Sequence, residues 1–245
     1  VNFTVQWHEQ LDSTNTWLIG ELARNPGLPS GTVIAASRQT RGRGRHQRVW
    51  ISPAGENLTF SLWLKGSFEP QHLPSASMAV AVAVAQLLET CGMTPTLKWP
   101  NDVLVNGRKI CGILSEGVAG GVVIGTGLNV NLSDTACIDQ PATSILIETG
   151  KRHERSGLLD RLLQTMSGRL DAWSRAGFAG FRQAWETRIP SLGQPVAVCD
   201  GDTVHRGILT GFGDDGELLL RGASGTITVV WAGEIPTEQN VTSRV

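Results

Sequence analysis

The sequence predicts an α+β fold: a mixed, largely antiparallel sheet with helices, followed by a small C-terminal antiparallel β-barrel. Three observations carry this. Strand-like runs in residues 96–130 are joined through Asn106-Gly107 and Gly120-Gly121, which mark successive tight hairpins. Residues 75–91 and 158–173 repeat apolar side chains at helical rather than strand spacing. After Pro190 the composition shifts to short, evenly spaced strand-like runs separated by Asp200-Gly201, Asp214-Asp215-Gly216 and Ser224-Gly225. The expected division is a first domain over residues 1–190 and a small barrel over residues 191–245.

In chain order, residues 1–7 alternate as a strand. Asp12-Ser13-Thr14-Asn15 opens a helix to about Arg24, with Trp17, Leu18 and Leu22 on its apolar face. One small polar residue suffices as a cap; the others are free to face a ligand at the positive helix end. Residues 32–37 form a buried strand that delivers Gln39. In residues 57–65, Leu58, Phe60, Leu62 and Leu64 share one face and Thr59, Ser61 and Trp63 the other. Pro74 suits a helix start, and the Ala/Val-rich residues 75–91 predict a helix packed between layers. The apolar run 76–88 is too short to span a bilayer. Residues 96–99 are a strand ended by Pro100, with Asn101-Asp102 in a turn. Residues 103–105, 109–116 and 122–130 then form a three-strand meander. Strict alternation sets Lys109, Cys111, Ile113 and Ser115 on one face and Ile110, Gly112, Leu114 and Glu116 on the other. Glycines inside strands, here Gly112, Gly125 and Gly127, signal close approach and a groove over the sheet into which Lys109 points. Phe178, Phe181 and Trp185 continue the apolar pattern of residues 158–173 on a second helix, as core. Residues 133–142 are a polar loop without an assigned role. The barrel is small for independent stability and is expected to dock on the first domain, with its last ten residues frayed.

At 245 residues with 40% hydrophobic and 18% charged residues, the chain is globular. A net charge of -1 excludes the overall basic field of a general nucleic-acid binder. Cys91, Cys111, Cys137 and Cys199 contain no Cys-x-x-Cys pair, so buried thiols are expected rather than a zinc or redox site.

Against that balanced background stands Arg41-Gly42-Arg43-Gly44-Arg45-His46-Gln47-Arg48-Val49-Trp50, the densest positive charge in the chain. Such a run is also the composition of a solvated loop or a nucleic-acid contact. No Gly-Lys-Ser/Thr follows, and Gln47 stands where a dinucleotide fingerprint needs glycine. Planar guanidiniums suit phosphate or carboxylate, and four like charges favour a loop that orders when an anion arrives.

Four separated segments resemble one family, the biotin protein ligases: Asp12-Ser13-Thr14-Asn15; Gln39-Thr40 with Gly42-Arg43-Gly44-Arg45 and Trp50; Lys98-Trp99-Pro100-Asn101-Asp102; and Lys109-Ile110-Cys111-Gly112-Ile113-Leu114 with Gly125-Thr126-Gly127-Leu128-Asn129. The resemblance spans nearly the whole chain. It implies a catalytic domain related to class II synthetases and an SH3-like C-terminal barrel. It also implies a two-step reaction. Biotin and ATP with Mg2+ give biotinyl-5′-AMP, and the biotinyl group then passes to a lysine of a biotin carboxyl carrier domain.

By the same resemblance Ser13, Thr14, Asn15 and Gln39 meet biotin, and Gly42, Arg43, Gly44 and Arg45 close over it. Arg43, Arg45, Arg48, Trp50, Lys98, Asn101 and Asn129 meet the nucleotide. Lys109, with Gly112 giving close approach, meets the reacting carboxylate and phosphate. Asp102 either assists the metal, whose ligands are otherwise unknown, or takes a proton from the incoming lysine. Lys109, Arg45 and Asp102 are the expected catalytic group. Gln47 departs from a glycine frequent in the family. Only about a dozen residues precede the Asp-Ser-Thr-Asn segment, too few for a DNA-reading domain, so no DNA partner is expected. The resemblance further implies a cytoplasmic protein without a membrane partner and is compatible with a homodimer. A lipoate-type protein ligase of the same fold is the alternative, disfavoured by the Gly-Arg-Gly-Arg loop ahead of Trp50.

Overall fold

The computed structural model describes residues 1–236; the frayed end expected beyond Pro236 lies outside them. Strand β1 (Thr4–Leu11) starts three residues later and runs longer than its alternation suggested. Helix α1 (Thr14–Arg24) is capped by Ser13, whose side chain accepts from Thr16 N–H. Strands β2 (Thr32–Gln39) and β3 (Asn57–Lys65) flank the basic loop. Helix α2 (Leu73–Thr90) leads to β4 (Pro95–Lys98), β5 (Asp102–Val105), β6 (Arg108–Val118) and β7 (Gly121–Asn129). The short α3 (Ile145–Thr149) precedes α4 (Arg155–Ala176).

The large sheet has seven strands in the order β1-β2-β3-β7-β6-β5-β4. Among the described strands only β1 and β2 pair in parallel; the predicted hairpins are the antiparallel ladders β5-β6 and β6-β7. Both faces of β3 are buried. Leu58, Phe60, Leu62 and Leu64 join the main core with α2 and α4, while Trp63 packs with Leu18 and Ile34 beneath α1. The sheet is thus a layer between α1 and the α2/α4 pair.

Two expectations about the helices need correction. The helical stretch Pro70–Thr90, at 21 residues, is long and apolar enough to cross a membrane by length and composition, contrary to the length argument. Its apolar surface is spent inside the protein: nearly every residue from Ser75 to Leu88 is buried. Phe178 and Trp185 do not share a helix. Phe178 sits in a 3-10 turn at Gly177–Gly180 and Trp185 in the short α5 (Arg182–Glu186), although both are fully buried as core.

The C-terminal strands β8 (Pro195–Asp200), β9 (Thr203–Phe212), β10 (Leu218–Arg221) and β11 (Ile227–Val230) form a four-stranded antiparallel meander. Past β11 the chain returns to β8 through a Cys199–Glu234 bridge, which begins to close the sheet on itself as a small SH3-like domain does. This sheet shares the main core. Phe212 packs on Phe178 and Trp185 at ring-centroid distances of 5.8 and 6.1 Å, and Trp99 Nε1 donates to Gly216 O at 2.9 Å. All four cysteines are free; Cys111 is buried, but Cys137 is exposed on the polar loop, against the expectation of buried thiols.

Candidate active site

The basic loop folds as an irregular hairpin. Trp50 N–H donates to Gly42 O at 3.0 Å and Gly44 N–H to Arg48 O at 2.7 Å. A Cβ on Gly42 would lie 2.3 Å from Trp50 O, so the base of the hairpin requires glycine. At the tip, His46 and Gln47 adopt left-handed backbone (φ 51° and 59°). The position noted as a departure, Gln47, is thus one where the backbone itself favours glycine.

Beneath the loop lies a cavity lined by Ser13, Thr14, Asn15, Gln39, Arg43, Gly44, Arg45, Arg48, Trp50, Lys98, Asn101, Asp102, Lys109 and Gly112. These are nearly all of the residues predicted for the site. Gly42 is not on the wall but shapes the loop. Asn129 lines a neighbouring cavity with Ile138, Asp139 and Ala142; Arg48, Val49, Trp50, Lys109 and Gln140 belong to both, so they form the partition. Asn129 Nδ2 donates to Thr143 O at 3.0 Å, while its Oδ1 is buried without a partner among the described residues.

One end of the cavity is polar and carries little charge. Thr14 donates to Gln39 Oε1 from N–H at 2.7 Å and from Oγ1 at 3.1 Å. Ser61 Oγ meets Asn15 Oδ1 at 2.5 Å and Thr14 Oγ1 at 2.7 Å. The other end is cationic. Lys109 Nζ lies 2.7 Å and Lys98 Nζ 4.0 Å from the Asp102 carboxylate. Burial pulls Lys98 below its ordinary pKa; Asp102 opposes this and Lys109 adds to it. Burial likewise lowers Arg45, with Asp102 and Glu234 opposing, yet a guanidinium stays charged in any such site. Its hydrogen bonds go to neutral oxygens, Asn101 Oδ1 at 3.4 Å and Gly233 O at 3.2 Å. Arg48 instead pairs with Glu234 at 2.5 Å. Such a cavity suits a ligand with an uncharged hydrogen-bonding head and an anionic tail.

Strict alternation misplaced Lys109. Val103 pairs with Cys111 but Leu104 with Lys109, so Ile110 is an extra residue, a β-bulge. The bulge turns Lys109 onto the face of Gly112, where an added Cβ would touch Lys109 Cε at 3.0 Å. The strand glycines serve as a floor for the protein's own side chains: a Cβ on Gly127 would lie 2.3 Å from the Trp50 indole, and one on Gly125 2.3 Å from Asn15 Oδ1. The groove was legible, but the Trp50 ring filling part of it was not.

Arg43, expected to add charge at the phosphate end, pairs instead with Glu116 and donates to Thr16 Oγ1 at 3.1 Å, beside Asn15. Glu116, Ser61, Gln140 and Glu234 were all missed. Glu116 carried the one available signal, a carboxylate on the Gly112 face of β6. Ser61 hid in an apolar alternation, Gln140 lay in the unassigned loop, and Glu234 lies beyond the last strand, where no periodicity points.

Comparison with known proteins accords with this geometry. Residues 7–132 match the biotin/lipoate A/B protein ligase family, and residues 191–235 match the biotin protein ligase C terminal domain. The biotin–[acetyl-CoA-carboxylase] ligase of Paracoccus denitrificans is 36% identical over 239 residues, covering 91% of this chain and 96% of that one. The bifunctional ligase/repressor BirA of Bacillus subtilis is 34% identical over 238 residues, 94% of this chain and 72% of that one. The biotin protein ligase of Aquifex aeolicus in complex with biotin and ATP superposes with a TM-score of 0.82 at 30% identity, covering 95% of this chain and 97% of that one. Matched over both its large and its small sheet, the chain belongs to the biotin/lipoate A/B protein ligase family, in its biotin protein ligase branch.

Proposed function

We propose that this chain activates biotin with MgATP as biotinyl-5′-AMP and transfers the biotinyl group to a lysine of a biotin carboxyl carrier domain. The observation that carries this is the two-ended cavity: an uncharged polar floor at Ser13, Thr14, Asn15 and Gln39, and cations Arg45, Lys98 and Lys109 at the other end. Biotin has a neutral ureido ring and a carboxylate, and the carboxylate must meet a triphosphate. In the first step a carboxylate oxygen attacks the α-phosphorus and pyrophosphate leaves. In the second the lysine amine attacks the anhydride carbonyl, loses its proton, and AMP leaves.

Lys109 meets the developing charge between carboxylate and α-phosphate, and Arg45 the phosphate. Lys98, Arg48 and Asn101 line the nucleotide path. Gly112 leaves room beside Lys109, and Trp50 with Asn129 in the adjoining cavity takes the adenine. The Gly42–Arg45 loop covers the anhydride against water.

Asp102 lies 2.7 Å from Lys109 Nζ and 4.0 Å from Lys98 Nζ, so in this reading it holds the two lysines in place and is the nearest base for the acceptor amine. We assign residues 1–190 to the catalytic domain, residues 191–245 to the C-terminal domain, and the cytoplasm as the compartment where ATP and carrier domains meet.

The test is biotin-dependent pyrophosphate release from MgATP, with lipoate and acid-free controls. Release with biotin alone is expected; release with lipoate alone would keep the fold and change the substrate. Lys109→Ala should lower release by roughly a hundredfold or more, as loss of a transition-state charge contact does, while circular dichroism stays that of the parent. Normal release by that variant would remove Lys109 from the mechanism.

A further inference from the structure

We propose that Glu116 is a positioning residue that couples closure of the basic loop to the biotin end of the cavity. The inference rests on reading Ser13–Asn15 and Gln39 as the biotin floor. Glu116 is absent from the cavity wall, so it acts through others. Its Oε2 accepts from Asn15 Nδ2 at 2.7 Å, and its Oε1 takes the Arg43 guanidinium. A carboxylate only accepts, so it fixes which way the Asn15 amide faces. Nδ2 points to Glu116 and to Leu114 O at 3.3 Å, and Oδ1 is left to receive Ser61 Oγ–H at 2.5 Å. Ser61 Oγ also lies 2.7 Å from Thr14 Oγ1, and Thr14 N–H reaches Gln39 Oε1 at 2.7 Å. The orientation of the Asn15 amide and of the Ser61 hydroxyl against it is therefore set from Glu116.

The other oxygen reaches the loop. Arg43 spans from Thr16 on α1 to Glu116 on β6, and its own backbone pairs with Val49 inside the loop hairpin. The same carboxylate that orients the floor thus anchors the cover. Glu116 stands on a central strand, paired opposite Val123 of β7, which makes it a fixed post for both. A ligand that settles on a correctly oriented Asn15 finds the loop already tethered, and a change at Glu116 loosens amide and loop together. No neutral side chain serves both partners: a glutamine there turns its NH2 toward one of two donors.

The test uses the whole chain and steady-state pyrophosphate release, varying biotin and MgATP separately. Glu116→Gln is expected to raise KM for biotin roughly tenfold, the scale of a lost charge-assisted hydrogen bond, with KM for ATP and kcat changed by less than about threefold. In the parent, biotin should slow trypsin cleavage within the loop, and Glu116→Gln should abolish that protection. Arg43→Gln should raise the same KM, and the double variant should be no worse than Glu116→Gln alone, because both remove one link. Arg43→Lys, which keeps the charge, should retain most of the affinity.

Additive effects of the two changes, or equal losses in kcat and thermal stability without a KM split, would overturn the coupling. Asn15→Ala and Gln39→Ala keep the two readings apart. If neither raises KM for biotin, the floor assignment itself fails. If both do and Glu116→Gln does not, only the role of Glu116 fails.

Discussion

Single backbone angles decide how the loop behaves. Gln47 holds φ at 59° without being glycine, next to His46 at 51°. Left-handed backbone costs a non-glycine residue about 1–2 kcal/mol, so the folded tip of this loop sits closer to its open forms than a glycine-bearing tip would. Gln47→Gly removes that cost, and the added freedom of the open loop returns only part of it. The adenylate should then dissociate more slowly, by roughly threefold, measured by chasing labelled biotinyl-AMP with unlabelled ligand. An unchanged or faster release would show that the tip does not open during dissociation. The sequence made Gln47 visible as a departure from a pattern. It could not show that the departure falls on positive φ, because that follows from the hairpin Gly42 and Trp50 close.

At the scale of elements, β6 and β7 supply a floor whose shape depends on missing side chains. Gly127 lies directly under the Trp50 indole, and Gly112 lies under the end of Lys109. A Cβ on Gly127 meets a rigid ring at 2.3 Å, whereas one on Gly112 meets the flexible end of a lysine at 3.0 Å and the edge of the same ring at 3.3 Å. Gly127→Ala should therefore raise KM for ATP by roughly tenfold through displacement of the indole, with a smaller effect on biotin, and Gly112→Ala should do less to ATP. An unchanged KM for ATP in Gly127→Ala would mean that Trp50 is not the wall of the nucleotide site. The hairpins that build this floor were legible because Asn106-Gly107 encodes its turn locally. The bulge at Ile110 was not, since an extra residue is defined only against the partner strand, here β5. The same limit applies to Phe178 and Trp185: their burial followed from their apolarity, but the break between a 3-10 turn and α5 shows only in the folded chain, where both rings pack against Phe212.

Across the whole molecule, the basic loop touches both sheets. Arg45 reaches Gly233 O and Arg48 reaches the Glu234 carboxylate, on the segment that returns from β11 to β8. The small C-terminal sheet is thereby more than a passenger on the shared core; it holds one side of the loop that covers the cavity. Burial pushes the Glu234 carboxyl up, but its bond to Arg48 and the nearby charges of Lys98 and His46 outweigh this and leave it below its ordinary value of 4.5. A carboxyl with a depressed folded-state pKa stabilises above the unfolded value, and the contribution fades as pH falls through the folded one. Glu234→Gln should therefore lower stability at neutral pH by only about 0.5–1 kcal/mol, since the pair is partly exposed. The gap between parent and variant in urea midpoint should be full above the ordinary carboxyl value of 4.5 and close only as pH falls below it. A gap that survives at the lowest pH would assign the contact to packing rather than charge. A gap absent at neutral pH would mean that the loop stands over the cavity without help from the C-terminal sheet, and Arg48 would then be free to follow the nucleotide instead of Glu234.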